Sequence, residues 1–433
     1  MTREAIQATP NRRIEARRVA LASAIGTTIE WYDFFIYGTA AAVVFAPQFF
    51  PQVSALAGTL ASFATFAIGF GARPLGGIVM GHFGDRAGRK STLVWCLLLM
   101  GLSTFAIGLL PNYASIGSWA PALLVFLRFL QGFALGGEWG GAVLMSVEHA
   151  PQGRRGLFGS FVALGLPAGI VLSNLVFLAA STIVSSDQFA AWAWRVPFLA
   201  SGVLVAVGFF MRLRVAESPI FEEVRRVRST RRMPVVDVLR SEARAVFLAA
   251  GSYLSISATG YLVIVYFVTY ATRNLQFSLP VTLGLLQLAA VLFAVSILFF
   301  ANRSDTTGRR RLMRWSCGIL VIASLVFFPL IDTRSVPLSA VALCFMLVVQ
   351  GMYIGPQAAV FAELFPSTFR YSGASLSITL GTLLGGAITP LVAAALYSAY
   401  GSSLPVTIYA VGLSVFSWLC ALGLKETVQA DLR

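Results

Sequence analysis

Apolar residues along this chain do not alternate with polar ones over most of its length. They gather in blocks separated by short breaks rich in Gly, Pro or basic residues. A helix that crosses a bilayer needs about 20 predominantly apolar residues. Blocks of that size fall near 19–46, 54–80, 91–110, 121–147, 157–181, 192–211, 245–271, 280–301, 312–331, 336–360, 372–397 and 404–424. The pattern predicts an all-α membrane protein of twelve transmembrane helices. One long polar stretch, 213–243, divides them six and six. The expected organisation is a tail over 1–18, a six-helix bundle over 19–212, a partly helical surface linker over 213–243, a second bundle over 244–424 and a tail over 425–433.

The two halves repeat. GHFGDRAGRK at 81–90 recurs as ANRSDTTGRRR at 301–311, aligning Asp85 with Asp305 and Gly88 with Gly308. EHAPQGRR at 148–155 recurs as ELFPSTFR at 363–370, and Gln131-Gly132 recurs as Gln350-Gly351. Three landmarks in one order at similar offsets imply an internal duplication.

Composition supports the membrane reading: 57% of residues are hydrophobic and 12% charged, against about 25% charged in soluble domains. The formal charge of +14 would suit nucleic acid, but its distribution speaks for topology. Lys and Arg crowd the tails and alternate loops, whereas the other side keeps Arg195, Arg273 and Arg334. By the positive-inside rule both termini are cytoplasmic, and no nucleic-acid partner is expected. The expected location is the cell (inner) membrane. Cys96, Cys317, Cys344 and Cys420 lie in apolar runs without a paired spacing, so neither disulfide nor metal is expected. No cleavable leader is expected, because the run after Arg12, Arg13, Arg17 and Arg18 is too long for one.

Five charges fall inside predicted spans: Glu30, Asp33, Arg73, Arg128 and Glu138. Each costs about 2.5–3.5 kcal/mol at a helix centre on insertion scales, so each needs a partner or a purpose. At about 1.5 Å per residue, Glu30 lies roughly 16 Å and Asp33 roughly 21 Å from the cytoplasmic end of their helix. Glu138, Arg128 and Arg73 come out at roughly 14, 28 and 10 Å. Depth alone therefore expects an upper pair, Asp33 with Arg128, and a lower cluster of Glu30, Arg73 and Glu138. With three acids against two bases, one carboxyl lacks a fixed cation, and such a carboxyl favours its protonated form in a dry interior. Asp33, Glu30 and Glu138 are the candidate proton carriers. Arg128, in a glycine-rich helix with Gly132, Gly136 and Gly140 on one stripe, is the candidate anchor for a substrate carboxylate, with Arg73 second. Trp31, Tyr32 and Tyr37 are candidate cavity aromatics.

No predicted span of the second half carries a charge. Its polar inventory is Tyr253, Ser257, Tyr261, Tyr266, Gln287, Gln350, Tyr353 and Gln357, of which Tyr261, Tyr353 and Gln357 are the candidate substrate contacts. An enzyme would need a nucleophile–base pair or a metal cluster. Two histidines at predicted helix ends, His82 and His149, supply neither.

The loop GHFGDRAGRK resembles the signature of the major facilitator superfamily. IEWYDFFIYG at 29–38 and RFLQGFALGGEWGGA at 128–142 resemble its metabolite:proton symporter family, whose carriers take proline and betaine, 2-oxoglutarate, citrate or shikimate. GTLASFATFAIGFGARPLGGIVMGHFGDRAGRK, WAPALLV and SVEHAP look closest to the shikimate-transporter branch. The second-half loop departs, with Asn302 and Thr306 where the first has His82 and Arg86. The resemblance implies a monomeric, proton-driven importer of a small organic acid that needs no cofactor. A zwitterion symporter or an exporter is the alternative. The chain stops soon after the twelfth span, without the long C-terminal heptad segment of osmolyte carriers. The resemblance also implies a cytoplasmic latch built from Gly81, Gly84, Asp85, Arg86, Gly88, Arg89, Glu148, Arg155, Asp305, Arg309, Glu363 and Arg370. Within it the spacing pairs Glu148 with Arg155 and Glu363 with Arg370.

Overall fold

The computed structural model describes residues 10–87, 89–136, 154–214, 234–366 and 370–427. Its long helices are α1 (Pro10–Val43), α2 (Ala55–Ala87), α3 (Arg89–Leu109) and α4 (Trp119–Leu135). Then come α5 (Arg155–Ala163, continued by Gly165–Ile183) and α6 (Val196–Arg214). Helix α7 runs through Ala243–Tyr261, a π-helical turn Leu262–Tyr266 and Phe267–Arg273. It is followed by α8 (Leu279–Thr307), α9 (Arg309–Ile331) and α10 (Val336–Glu363). Helix α11 joins Arg370–Gly381, a π-helical turn Thr382–Ala387 and Thr389–Tyr400, and α12 is Leu404–Gly423. Each predicted span thus meets a helix, and the described residues contain no strand. Among the described residues nine helical stretches are long and apolar enough to cross a membrane, and the apolar stretches Val94–Leu109 and Trp119–Leu135 are shorter. Helix α1 begins ahead of its apolar run, and a short helix, Pro234–Ser241, lies inside the expected linker.

Helix packing repeats along the chain. Helix α1 packs on α5, α2 on α4, α3 on α4, and α3 on α6; α7 packs on α11, α8 on α10, α9 on α10, and α9 on α12. Every pair recurs six helices later. The Gln-Gly landmark explains part of this. A Cβ on Gly132 would stand 1.8 Å from the Gly69 carbonyl of α2, and one on Gly351 would stand 2.4 Å from Ser296 Oγ of α8. In both halves the glycine is a point of close approach between the same two helices, where small residues permit tight packing.

The first six helices meet the last six through α5 on α8 and α10, α2 on α11, and α1 on the π turn of α7. Of the nine membrane-length stretches, the one in α7 is the most enclosed, with 94% of its apolar stretch buried. Over residues 255–271 its side chains are buried on every side, and this part forms one wall of the central site.

Both ends of this seam are tied. At the end bearing the basic loops, Arg309 pairs with Asp305 (Nη2 to Oδ1, 3.1 Å) and with Glu363, and Arg155 reaches Glu363 at 3.7 Å. Asp305 also accepts the backbone N–H groups of Gly156 (3.0 Å) and Leu157 (3.4 Å). A carboxylate from α8 thus satisfies the free amides at the start of α5, where the helix dipole favours negative charge. At the other end Arg273 donates to Thr59 Oγ1 (2.6 Å) and Thr269 to the Ala42 carbonyl (3.3 Å), tying α7 to α2 and α1.

The repeat spacing expects Glu363 beside Arg370, whose side chain lies outside the described residues. In the structure Glu363 takes Arg309 of its own half and Arg155 of the other. Repeat offsets register neighbours along one half and carry no information on contacts across the seam. Gly81, Gly84, Asp85 and Arg86 lie in the last turns of α2, Arg89 opens α3 and Arg370 opens α11. Gly88, Glu138 and Glu148 lie outside the described residues.

Candidate functional site

Helix α1 contributes Glu30, Phe34 and Tyr37 at helical spacings of three and four, so they share a face, with Asp33 about 100° round the helix from Phe34. Helix α2 contributes Phe66, Phe70 and Arg73 at the same spacings. These side chains meet Arg128 of α4 and Tyr261 of α7 midway along the bundle. Phe34 is the hub. Its ring centre lies 4.8 Å from Phe66, 4.9 Å from Phe70 and 5.8 Å from Tyr261, and Tyr261 lies 5.2 Å from Phe70. Aromatic contacts of this kind contribute about 0.5–1.5 kcal/mol each beyond area burial. Here they join α1 and α2 to α7.

Two guanidinium groups rest on this cluster. The Arg128 carbon lies 4.4 Å from the Phe34 ring centre, 4.1 Å from Tyr37 and 4.9 Å from Phe66. The Arg73 carbon lies 5.0 Å from Phe34 and 4.6 Å from Phe70. Both cations therefore use the face of one ring. Cation–π attraction contributes about 2 kcal/mol or more when desolvated, which offsets part of the cost of burying them.

Arg128 is 1% exposed. Its Nη1 donates to Gln131 Oε1 at 3.1 Å, and Gln131 Nε2 donates to Thr104 Oγ1 of α3 at 2.7 Å. Among the described residues Nε and Nη2 of Arg128 have no hydrogen-bond partner. Those two nitrogens form one edge of the guanidinium plane, the edge that takes a carboxylate bidentately. Gly69 leaves that edge room: a Cβ there would stand 2.6 Å from Nε.

The depth argument paired Asp33 with Arg128, and the structure does not. Asp33 is 1% exposed, lies beside Thr104 and Glu30, and neither carboxyl oxygen has a hydrogen-bond partner among the described residues. Depth along a helix fixes height only. Asp33 and Phe34 are at nearly equal height but about 100° apart in azimuth, and it is Phe34 that meets Arg128. Glu30 is buried and interacts with Arg73.

Placement separates the other candidates. Trp31 stacks on Phe35 at 5.3 Å. Tyr32 donates its hydroxyl to the Pro197 carbonyl at 2.6 Å, which ties α1 to α6. Tyr353 shares a hydrogen bond with Ser252 (2.7 Å) and stacks on Tyr253 at 6.1 Å inside the second half. Gln357 and Thr382 lie beside the Tyr253 hydroxyl, and Gln357 Nε2 has no partner among the described residues. Tyr261 closes the site from α7, its hydroxyl likewise without a partner among the described residues. The cluster thus brings together Glu30, Arg73, Arg128 and Tyr261, with Asp33 one helix face away. Phe34, Phe66, Phe70, Thr104 and Gly69 were not singled out by sequence. Gln131 was legible as a repeat landmark, and its place one helical turn after Arg128 was the signal for its contact there.

A family model described as Major Facilitator Superfamily matches residues 23–383. The Escherichia coli protein called inner membrane metabolite transport protein YhjE is 42% identical over 96% of this chain and 95% of its own length. The shikimate transporter of the same organism is 39% identical over 96% of each. Its proline/betaine transporter is 30% identical over 96% of this chain and 85% of its own length. Among solved structures, a D-xylose-proton symporter superposes with a TM-score of 0.76 over 96% of this chain and 99% of its own, at 15% identity, a likeness of fold.

Proposed function

Because the chain belongs to the major facilitator superfamily and is a multi-pass membrane transporter rather than an enzyme, we propose that it is a proton-coupled symporter. It imports a small organic acid, of the shikimate or di/tricarboxylate kind, across the inner membrane by alternating access. In this reading it works as a monomer, without a cofactor, and the basic-loop end is cytoplasmic. The observation that carries it is the Arg128 edge: a fully buried guanidinium with two N–H-bearing nitrogens unpartnered among the described residues, at the centre of the bundle. Unsatisfied buried donors cost about 1–3 kcal/mol each, and a carboxylate satisfies both at once. Arg73, on the same ring, supplies a second cation for a second carboxylate or for the same one. Tyr261 and Gln357 add polar groups suited to hydroxyls. Asp33 serves as proton carrier, with Glu30 beside it. The ties at the two ends of the seam open alternately, with Arg155, Asp305, Arg309 and Glu363 holding the cytoplasmic end.

The second reading is a zwitterion such as proline or betaine. A quaternary ammonium needs open aromatic faces. In this site the faces of Phe34, Tyr37, Phe66 and Phe70 already hold guanidinium groups, which favours the anion. Ligand-dependent thermal stabilisation of the purified protein tests the choice. Shikimate, 2-oxoglutarate and citrate are compared with proline and betaine, each at millimolar concentration. Stabilisation by a carboxylic acid and not by the zwitterions, lost in Arg128→Ala, supports the reading; stabilisation by betaine or proline alone overturns it.

A further inference from the structure

The first two turns of α9 and the end of α12 enclose a cleft of about 370 Å³ lined by Arg310, Arg311, Arg314, Trp315 and Glu426. Its acid is already engaged. Glu426 accepts the backbone N–H groups of Arg309 (3.1 Å), Arg310 (3.2 Å) and Thr427 (3.0 Å), so it fills amides that open α9. Two of the three guanidinium groups are held in place. Arg310 Nη2 donates to the Leu422 carbonyl at 3.0 Å, and Arg314 donates through Nε to Ala421 at 3.3 Å and through Nη2 to Leu422. These carbonyls end α12, where acceptors lack intrahelical partners and cations are favoured. A guanidinium carries five N–H donors, so both arginines keep donors over, and Arg310 Nε is buried without a partner among the described residues. Arg311 is exposed and has no hydrogen bond or ion pair among the described residues. Its guanidinium carbon lies 4.6 Å from the ring centre of Trp315.

The surface beside this cleft is apolar. Trp315 and Ile322 of α9 are exposed, and so are Leu419 and Leu422 of α12. Arg311, Trp315 and Ile322 follow at spacings of four and seven, so they form one stripe. In a chain that spans a bilayer this stripe faces acyl chains, with arginine at headgroup level and tryptophan at the interface below it. We propose that the cleft binds the headgroup of an anionic phospholipid in the leaflet at the basic-loop end. Its phosphate accepts from Arg310, Arg311 and Arg314, charge-assisted bonds that guanidinium groups make well, and its chains lie along the exposed stripe. A zwitterionic lipid offers the same phosphate but brings an ammonium against three cations, so the cleft selects the anionic lipid. Inorganic phosphate meets the arginines but leaves the apolar stripe uncovered. The site requires that the chain spans a membrane and nothing of what it transports.

Tryptophan quenching by brominated lipid tests the site on the full chain in phosphatidylcholine vesicles. Phosphatidylglycerol with brominated chains is added at rising fraction, and brominated phosphatidylcholine gives the reference. The part of the quenching that Trp315→Phe loses reports the cleft. That part is expected to rise at lower fractions of phosphatidylglycerol than of phosphatidylcholine. Arg311→Gln leaves the ties to α12 intact and is expected to lower the preference about fivefold, the worth of one arginine at an anionic surface. Arg303→Gln makes the same charge change on an exposed residue of α8 at the same end and is expected to leave the preference unchanged. Equal quenching of Trp315 by the two lipids would overturn the proposal. An equal fall in Arg311→Gln and Arg303→Gln would do so too, since it would show general surface attraction in place of a site. Relief of the phosphatidylglycerol quenching by millimolar inorganic phosphate would make the occupant a soluble anion and overturn the lipid.

Discussion

The guanidinium of Arg128 lies over the ring of Tyr37, 4.1 Å from its centre, while its Nε and Nη2 have no partner among the described residues. The aromatic face holds the cation in place, and its donor edge stays available. A buried charge arranged in this way can take an anion without first breaking an ion pair among the described residues.

Replacing the fork should therefore weaken binding even where the charge is kept. Arg128→Lys keeps a cation but offers a point charge on a flexible stem. Losing one charge-assisted hydrogen bond costs about 1.5–3 kcal/mol, so the apparent KM for the transported acid should rise about 10- to 100-fold. Initial-rate uptake at matched expression measures this; a KM within a factor of two of wild type would remove Arg128 from substrate binding.

Gly69 is expected to be a specificity position that sequence composition hides among the many glycines. A Cβ there would stand 2.6 Å from Arg128 Nε, so Gly69→Ala must displace the guanidinium. Affinity for the acid should fall about tenfold, by the loss of roughly one hydrogen bond, with folding retained. Unchanged affinity would show that Arg128 binds through another edge.

The two ends of the seam should respond in opposite senses. Glu363→Gln weakens the ion pairs with Arg309 and Arg155, and breaking a buried pair costs about 3–5 kcal/mol. It should open the basic-loop end and raise labelling of a cysteine introduced there. Arg273→Ala removes the bond to Thr59 and should raise labelling at the opposite end. Parallel changes in both variants would mean that these contacts only hold the fold.

Tyr37 offers a finer control. Tyr37→Phe loses the hydrogen bond to Thr65, worth about 0.5–1.5 kcal/mol of stability, but keeps the ring under Arg128. Uptake should stay near wild type while thermal stability drops slightly. Tyr37→Leu should lose uptake, because the cation then loses an aromatic face.

The twelve spans were legible because a bilayer demands about 20 apolar residues per crossing. The Gln131-Gly132 and Gln350-Gly351 landmarks also carried real packing information, since both glycines sit where two helices approach closely. Arg128 was legible because a charge at lipid depth is rare. Its partners were not. Pairing Asp33 with Arg128 used height and ignored azimuth, and the contacts of Glu363 with Arg309 and Arg155 were missed because repeat offsets say nothing of neighbours on other helices or across the seam. Phe34, Phe66 and Phe70 look like ordinary packing residues in an apolar run. Only the fold shows that two guanidinium groups rest on them.

The central claim is that a proton gradient drives an organic acid through a site anchored by Arg128. The direct measurement is accumulation of labelled shikimate in proteoliposomes under an inward proton gradient, with unlabelled 2-oxoglutarate, citrate, proline and betaine as competitors. The account predicts gradient-driven accumulation that a protonophore abolishes, that Arg128→Ala loses, and that carboxylic acids but not betaine displace. Accumulation indifferent to the proton gradient, or intact in Arg128→Ala, would contradict it.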